Sequence, residues 1–246
     1  MINKVELVNI INKYYLNGLV ESTKWDVKTN NLNIRFTSPT KEMIGEINHS
    51  NFDIQDSSIG ISNTSQLLKL LGITSGDLLL SYIKNGKAFN KLIISDSQFT
   101  VNYALADTLT VAKTGTFSGV EEYNLETDLN LESITAIIKA KSALPESKNV
   151  VMKPTTSMDG QFELELIFGG DIEYANKVSY FMTGFTTKDL PYEFELNFDS
   201  DIFKEIMNVN KDAEKAKMFV NLEGLVKFEF ETCSTKSTYY LVKRNM

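Results

Sequence analysis

The chain has a single histidine, His49, and a single cysteine, Cys233, among its 246 residues. A two-histidine metal site is therefore excluded, and so is a disulfide within the chain. A Ser-His-Asp arrangement could run only through His49, in the polar stretch Asn48-His49-Ser50-Asn51, which leaves a hydrolase as one outlying alternative. Cys233 falls in the alternating stretch Phe228 to Tyr240 and reads as a small strand residue rather than a nucleophile. A lone thiol fits a reducing compartment, so a cytoplasmic location is expected (host cytoplasm, if the source is viral). Arginine is almost as scarce. Arg35 and Arg244 are the whole supply, and with them goes most of the planar fork that reads guanine edges. No apolar run approaches the roughly 20 residues of a membrane span. No basic start leads into an apolar run of about 7–15 residues, as in a secretory leader.

What is present is ordinary for a folded chain, with 42% apolar and 23% charged residues, but the balance is acidic, at a net charge of -7. That sign, taken alone, argues against broad nucleic-acid binding, though a total is not a distribution; contact with DNA would come from lysines at phosphates and be blind to sequence. There is no glycine-rich phosphate loop, since Gly169-Gly170-Asp171 reads as a hairpin turn. The carboxylates Glu121, Glu122, Asp199 and Asp201 could hold a divalent ion or could solvate loops and cap helices. The 15 Phe and 10 Tyr mostly alternate with polar residues, the pattern of strands facing a core rather than of base-stacking platforms. No enzyme activity, catalytic residue, cofactor or resident metal is expected.

The strongest internal signal is a long repeat. Ile59 to Leu71 (IGISNTSQLLKLL) returns at Phe194 to Ile206 (FELNFDSDIFKEI): a short alternating strand, a capping residue, then an apolar-apolar-Lys cluster at helical spacing. Ile61 falls on Leu196, Leu67 and Leu68 on Ile202 and Phe203, and Lys69 on Lys204. Upstream, Leu7, Ile10 and Ile11 fall on Ile134, Ile137 and Ile138. Helices are expected over Val5 to Leu16 and Leu131 to Ala143, with Leu131 on the apolar stripe and Lys141 as a misfit on that same stripe, explained if it lies past the helix end. Strands follow each helix, with turns at Asn30-Asn31, Ser38-Pro39, Asp159-Gly160 and Gly169-Gly170. The expected class is α+β: two similar domains, residues 1–106 and 120–246, each of two helix-plus-strands units, joined by a Thr/Gly/Ser-rich connector over 107–119. Each helix carries a lysine on or near its outward side, Lys13, Lys69, Lys139 and Lys204, while Lys211, Lys215 and Lys217 fall in a loop after the fourth.

Four such units paired into two domains, with a long connector, in an acidic chain of this length, resemble the DNA sliding clamps, and most closely the tailed-phage type. The resemblance covers Met1 to Arg244 and rests on order and spacing, without a signature peptide. It implies a homotrimeric ring with helices on the inner face and antiparallel sheets outside, holding duplex DNA by enclosure, without sequence preference. It further implies that Lys13, Lys69, Lys139, Lys204 and Lys211 look toward DNA, that a clamp loader opens the ring, and that a DNA polymerase docks by a peptide in an apolar groove near the connector. Position alone points to Leu105, Val111, Phe117 and Tyr240 for that groove. The alternatives are a monomeric viral processivity factor that holds DNA by charge, and a non-enzymatic virion or scaffold protein of duplicated β-rich domains.

Overall fold

The computed structural model describes residues 1–86, 88–111, 114–115, 120, 122–170, 175–188 and 193–244. Two compact units emerge: Met1–Thr116 with Cys233–Ser237, and Phe117–Thr232 with Thr238–Met246. Each is α+β with antiparallel sheets and two helices.

Unit 1 runs β1 (Ile2–Asn3), α1 (Lys4–Tyr15), β2 (Thr23–Lys28), β3 (Asn31–Thr37), β4 (Met43–Ser50), β5 (Ser57–Ile61), α2 (Thr64–Gly72), β6 (Asp77–Asn85), β7 (Ala88–Ser95) and β8 (Thr100–Ala104). Its strands pair in the orders β1-β6-β7-β8 and β5-β2-β3-β4. The β2–β3 hairpin closes on the pair Lys28↔Asn31, and Thr29 and Asn30 between them both have positive φ, the two-residue turn whose twist matches the strands. Alternation sends Leu32, Ile34 and Phe36 inward from β3, where Phe36 meets Tyr14 of α1 at 6.2 Å between ring centroids. Gly45 of β4 lies opposite Phe36, and a Cβ there would run into that ring, so the aromatic sets the glycine.

Unit 2 runs β9 (Leu125–Asp128), α3 (Leu131–Ala143), β10 (Asn149–Thr156), β11 (Phe162–Gly169), β12 (Lys177–Met182), β13 (Thr186–Thr187), β14 (Leu196–Asp199), α4 (Ser200–Val209), β15 (Lys215–Asn221), β16 (Leu225–Glu231) and β17 (Thr235–Val242). Its strands pair in the orders β12-β11-β10-β14 and β13-β9-β15-β16-β17. Phe203 of α4 stacks edge-on against Phe228 of β16 at 5.0 Å, and Phe230 meets Tyr239 at 6.0 Å.

The repeat is visible in the helix starts. Asn63 caps α2 by accepting from the Gln66 amide, and Asp199 caps α4 by accepting from the Ile202 amide, each contact stabilising its helix by about 1 kcal/mol. The next residues, Thr64 and Ser200, are fully buried, and each hydroxyl donates to a backbone carbonyl, of Glu21 at 2.9 Å and of Ser147 at 2.7 Å. The true register is thus one residue later than the sequence match. Leu67 and Leu71 correspond to Phe203 and Met207, all fully buried, and Lys69 corresponds to Glu205 rather than Lys204. In the other helix pair, caps Asn3 and Asn130 agree with the sequence register, which makes Tyr14 the counterpart of Lys141.

Those two counterparts do the same job with different chemistry. The Tyr14 hydroxyl lies 3.2 Å from Thr64 Oγ1 and ties α1 to the first turn of α2; Thr64 already donates to Glu21, so the tyrosine donates here. The Lys141 ammonium, 2% exposed, donates to the carbonyls of Pro145 at 2.8 Å and Ser147 at 2.6 Å, and pairs with Asp201 in the first turn of α4 at 3.0 Å. Lys141 therefore sits inside the last turn of α3, not beyond it, and is buried because carbonyls of the turn that follows its own helix converge on it.

Three further expectations are corrected. Leu131 is 62% exposed, since it opens α3 ahead of the buried stripe Ile134, Ile137 and Ala140. Lys215 and Lys217 belong to β15 rather than to a loop, because alternate residues Ala216, Met218 and Val220 are buried beneath them. Cys233 is exposed in the bend between β16 and β17 and is not a strand residue.

Candidate functional site

The open helix faces carry little charge. On α1, Val5 and Asn9 are exposed and Asn12 half-buried. α2 exposes Gln66 and Lys69; α3 exposes Glu132, Lys139 and Ser142. On α4, Asp201, Lys204 and Asn208 are half-buried, and exposed Lys211 follows in the turn after the helix. Lys204 lies 3.8 Å from Glu205, which offsets its charge. Each pair of helices packs together, α1 on α2 and α3 on α4; the open faces carry Lys69 in unit 1, and Lys139 and Lys204 beside Glu132 and Asp201 in unit 2.

Of the lysines expected to look outward, Lys69, Lys139 and Lys211 are exposed and Lys204 is half-buried. Lys13 is the correction. It is 2% exposed, because α1 is packed by α2 on one flank and β4 on the other, and this widens its buried stripe beyond the apolar positions. The carboxylates weighed as ion ligands are committed elsewhere: Asp199 caps α4 and binds Arg244, and Asp201 binds Lys141 and Lys148. Burial alone would raise the Asp201 carboxyl, but hydrogen bonds and charge from the two lysines outweigh it and hold it below the usual carboxylate range. Glu122 pairs with Lys188 at 2.9 Å, and Glu121 lies outside the described residues. Among the described residues, no group of three or more His, Cys, Asp or Glu could hold a metal ion.

His49 is equally committed. It is 2% exposed, with Nδ1 2.9 Å from Thr235 Oγ1, Nε2 3.7 Å from Glu6 and its ring edge-on to Phe52. Burial lowers its pKa against the pull of Glu6, and the closest groups hold no nucleophile-base geometry open to solvent.

Unit 1 also holds a cavity of about 400 Å³ lined by Lys24, Asp26, Arg35, Thr108, Leu109, Val111 and Thr114. Its wall is the outward face of β2 and β3, and its rim is the start of the chain after β8. Asp107 builds that rim by accepting from the Leu109 amide at 2.9 Å, and Thr114 Oγ1 donates to the Arg35 carbonyl at 3.2 Å. Leu109 stands 77% exposed at the mouth, whereas Val111 is 4% exposed and packs where Gly60 leaves out a Cβ. Of the four groove positions expected, Val111 lines this cavity and Leu105 and Tyr240 are half-buried; Phe117 lies outside the described residues. Leu109 was missed, since a single leucine among Asp, Thr and Ala has no periodicity to mark it.

No protein-family model and no curated protein matches the sequence. Solved structures do. The chain superposes on the Proliferating Cellular Nuclear Antigen of Entamoeba histolytica with a TM-score of 0.75 at 14% identity, over 99% of this chain and 96% of that one. It superposes equally well, with a TM-score of 0.75 at 17% identity, on A. fulgidus PCNA in a structure with the C-terminal region of FEN-1 bound, over 100% of this chain and 97% of that one. Its fold is therefore that of the DNA sliding clamps.

Proposed function

We propose that this chain is a sliding clamp: three copies close a ring around duplex DNA and tether a DNA polymerase for processive synthesis. The observation that carries the reading is the whole-length correspondence with PCNA structures, combined with helix faces whose few lysines suit weak, sliding contact with phosphates. Lys69, Lys139, Lys204 and Lys211 are the residues assigned to that contact; Lys13 is not among them.

Ring closure has a physical basis in the sheet edges. β8 and β12 are the end strands of their sheets with the longest free edges, and an unpaired edge is a template for another chain. Pairing β8 of one copy with β12 of the next is head-to-tail, the kind of contact that closes a cyclic ring. The cavity beside the connector, with Leu109 at its mouth, is the seat assigned to a partner peptide of the polymerase; that a clamp-fold protein can take a partner's terminal segment is seen in A. fulgidus PCNA, which has the C-terminal region of FEN-1 bound in one solved structure. A clamp loader is the further partner this reading requires, since a closed ring must open to admit DNA.

Sedimentation equilibrium at high protein concentration tests the ring. The expected particle has three times the 27.8 kDa mass of the chain. A monomer under those conditions would overturn the proposal, and dilution is expected to shift the mass downward by mass action.

A further inference from the structure

The sequence places asparagine directly before glycine twice, at Asn17-Gly18 and at Asn85-Gly86. This dipeptide is the one most open to loss of the side-chain amide, because glycine has no Cβ to shield the backbone nitrogen that attacks it. Both asparagines are exposed, so exposure does not choose between them. Their backbones do.

The attack needs the glycine nitrogen turned toward Cβ of the asparagine. Asn17 has φ 55° and ψ 38°, which set the Gly18 nitrogen nearly anti to Cβ. The turn is fixed there by the Leu19 amide on the Leu16 carbonyl at 3.3 Å and the Val20 amide on the Tyr15 carbonyl at 3.1 Å, and by the buried side chains of Leu16 and Val20. Asn85 instead ends β6, opposite Ala88 of β7, in extended backbone that brings the next nitrogen to the side of Cβ. Gly86, at φ +62°, lies beyond that last pair, so strand pairing does not hold its amide, and a Cβ there would meet nothing within 4 Å. The hairpin end is also weakly held. Ile83, Lys84, Asn85, Gly86 and Ala88 are all exposed, and the register shifts between Ile83 and Lys84, so this end can open without disturbing the core.

We infer that Asn85 is a site of spontaneous deamidation and that the fold protects Asn17 from the same reaction. The Gly86 nitrogen loses its proton and bonds Asn85 Cγ, the Cγ–Nδ2 bond breaks, and Nδ2 leaves as ammonia. Water then opens the cyclic imide at either carbonyl, giving aspartate or isoaspartate, with nothing oxidised or reduced. Either product adds a negative charge next to Lys84, whose ammonium lies 4.7 Å from the centroid of the Phe89 ring. Isoaspartate also lengthens the main chain by a methylene where β6 meets β7, so the pairing of Asn85 with Ala88 is lost. The modification does not depend on the ring and stands or fails apart from it.

Incubating the full chain in warm, mildly alkaline buffer and mapping its peptides by mass spectrometry tests the assignment. Conversion at Asn85 is expected to run at least about tenfold faster than at Asn17, and the peptide that holds Asn85 is expected to accept a methyl group from isoaspartyl methyltransferase. Asn85→Gln, which would have to close a larger ring, is expected to abolish conversion at that position and leave the rate at Asn17 unchanged. In concentrated urea, where both turns are lost, the two asparagines of the wild-type chain are expected to convert within about twofold of each other. Equal rates in the folded chain would overturn the proposal. So would a faster rate at Asn17, or an Asn85 that stays intact when folded while the urea-unfolded chain converts.

Discussion

Replacing Lys141 by methionine keeps the length of the side chain and removes its charge. The ammonium is 2% exposed and holds the carbonyls of Leu144 at 3.4 Å, Pro145 at 2.8 Å and Ser147 at 2.6 Å, with Asp201 Oδ1 at 3.0 Å. The losses are unequal. Ser147 O keeps a donor in Ser200 Oγ, the Leu144 contact is long, and Pro145 is exposed and can turn to water. Asp201, 43% exposed, keeps Lys148 at 3.2 Å. The cost therefore falls below the 3–5 kcal/mol of an orphaned buried charge, at about 2 kcal/mol for acceptors left with poorer partners. Urea unfolding of wild type, Lys141→Met, Asp201→Asn and the double variant reads this directly, and the cycle is expected to give a coupling of at least about 1 kcal/mol between the two residues. Because the folded Asp201 carboxyl titrates below its ordinary value, its contribution is present above the unfolded pKa and is lost as pH falls through the folded one. Lys141→Met should therefore also flatten the acid side of the stability profile below about pH 4. A variant as stable as wild type, with Asp201→Asn strictly additive to it, would refute the idea that this ion pair ties α3 to α4.

Three other outcomes follow from the same reasoning. Burial lowers the His49 pKa, so below the ordinary histidine value of about 6.5 the unfolded chain takes up a proton the folded chain resists; stability should fall between pH 7 and 5.5, and His49→Gln should show a shallower slope, with parallel slopes counting against this. Gly45→Ala drives a Cβ into the buried Phe36 ring and is expected to destabilise unit 1 by about 1–3 kcal/mol in urea unfolding, an unchanged midpoint being the contrary result. Lys69→Glu with Lys139→Glu, both exposed, should shorten the products of processive synthesis without changing assembly mass, whereas an unchanged product-length distribution would remove these lysines from the DNA contact.

The helices and most strands were legible because their apolar residues repeat at helical or alternating spacing: Leu7, Ile10, Ile11 and Tyr14 mark α1, and Val226, Phe228 and Phe230 mark β16. Repeat order was legible for the same reason, yet the match of Lys69 to Lys204 slipped by one residue. Apolar-apolar-Lys is common on any amphipathic helix, whereas the informative pair, Thr64 and Ser200, differs in side chain and agrees only in where the hydroxyl points. Lys13 and Lys141 were misread for different causes. A helical wheel supplies one buried stripe, and how wide it becomes at Lys13 depends on neighbours that the local sequence does not name; Lys141 was on the stripe from the start, but its carbonyl and Asp201 partners come together only in the folded chain.

Enclosure of DNA, rather than adhesion to it, is tested most directly by loading the protein with its loader onto nicked circular duplex and passing the complex through a sizing column in high salt. The account predicts that protein stays with the circle and leaves when one cut linearises it. Loss from the intact circle at the same rate as from the linear form would contradict it.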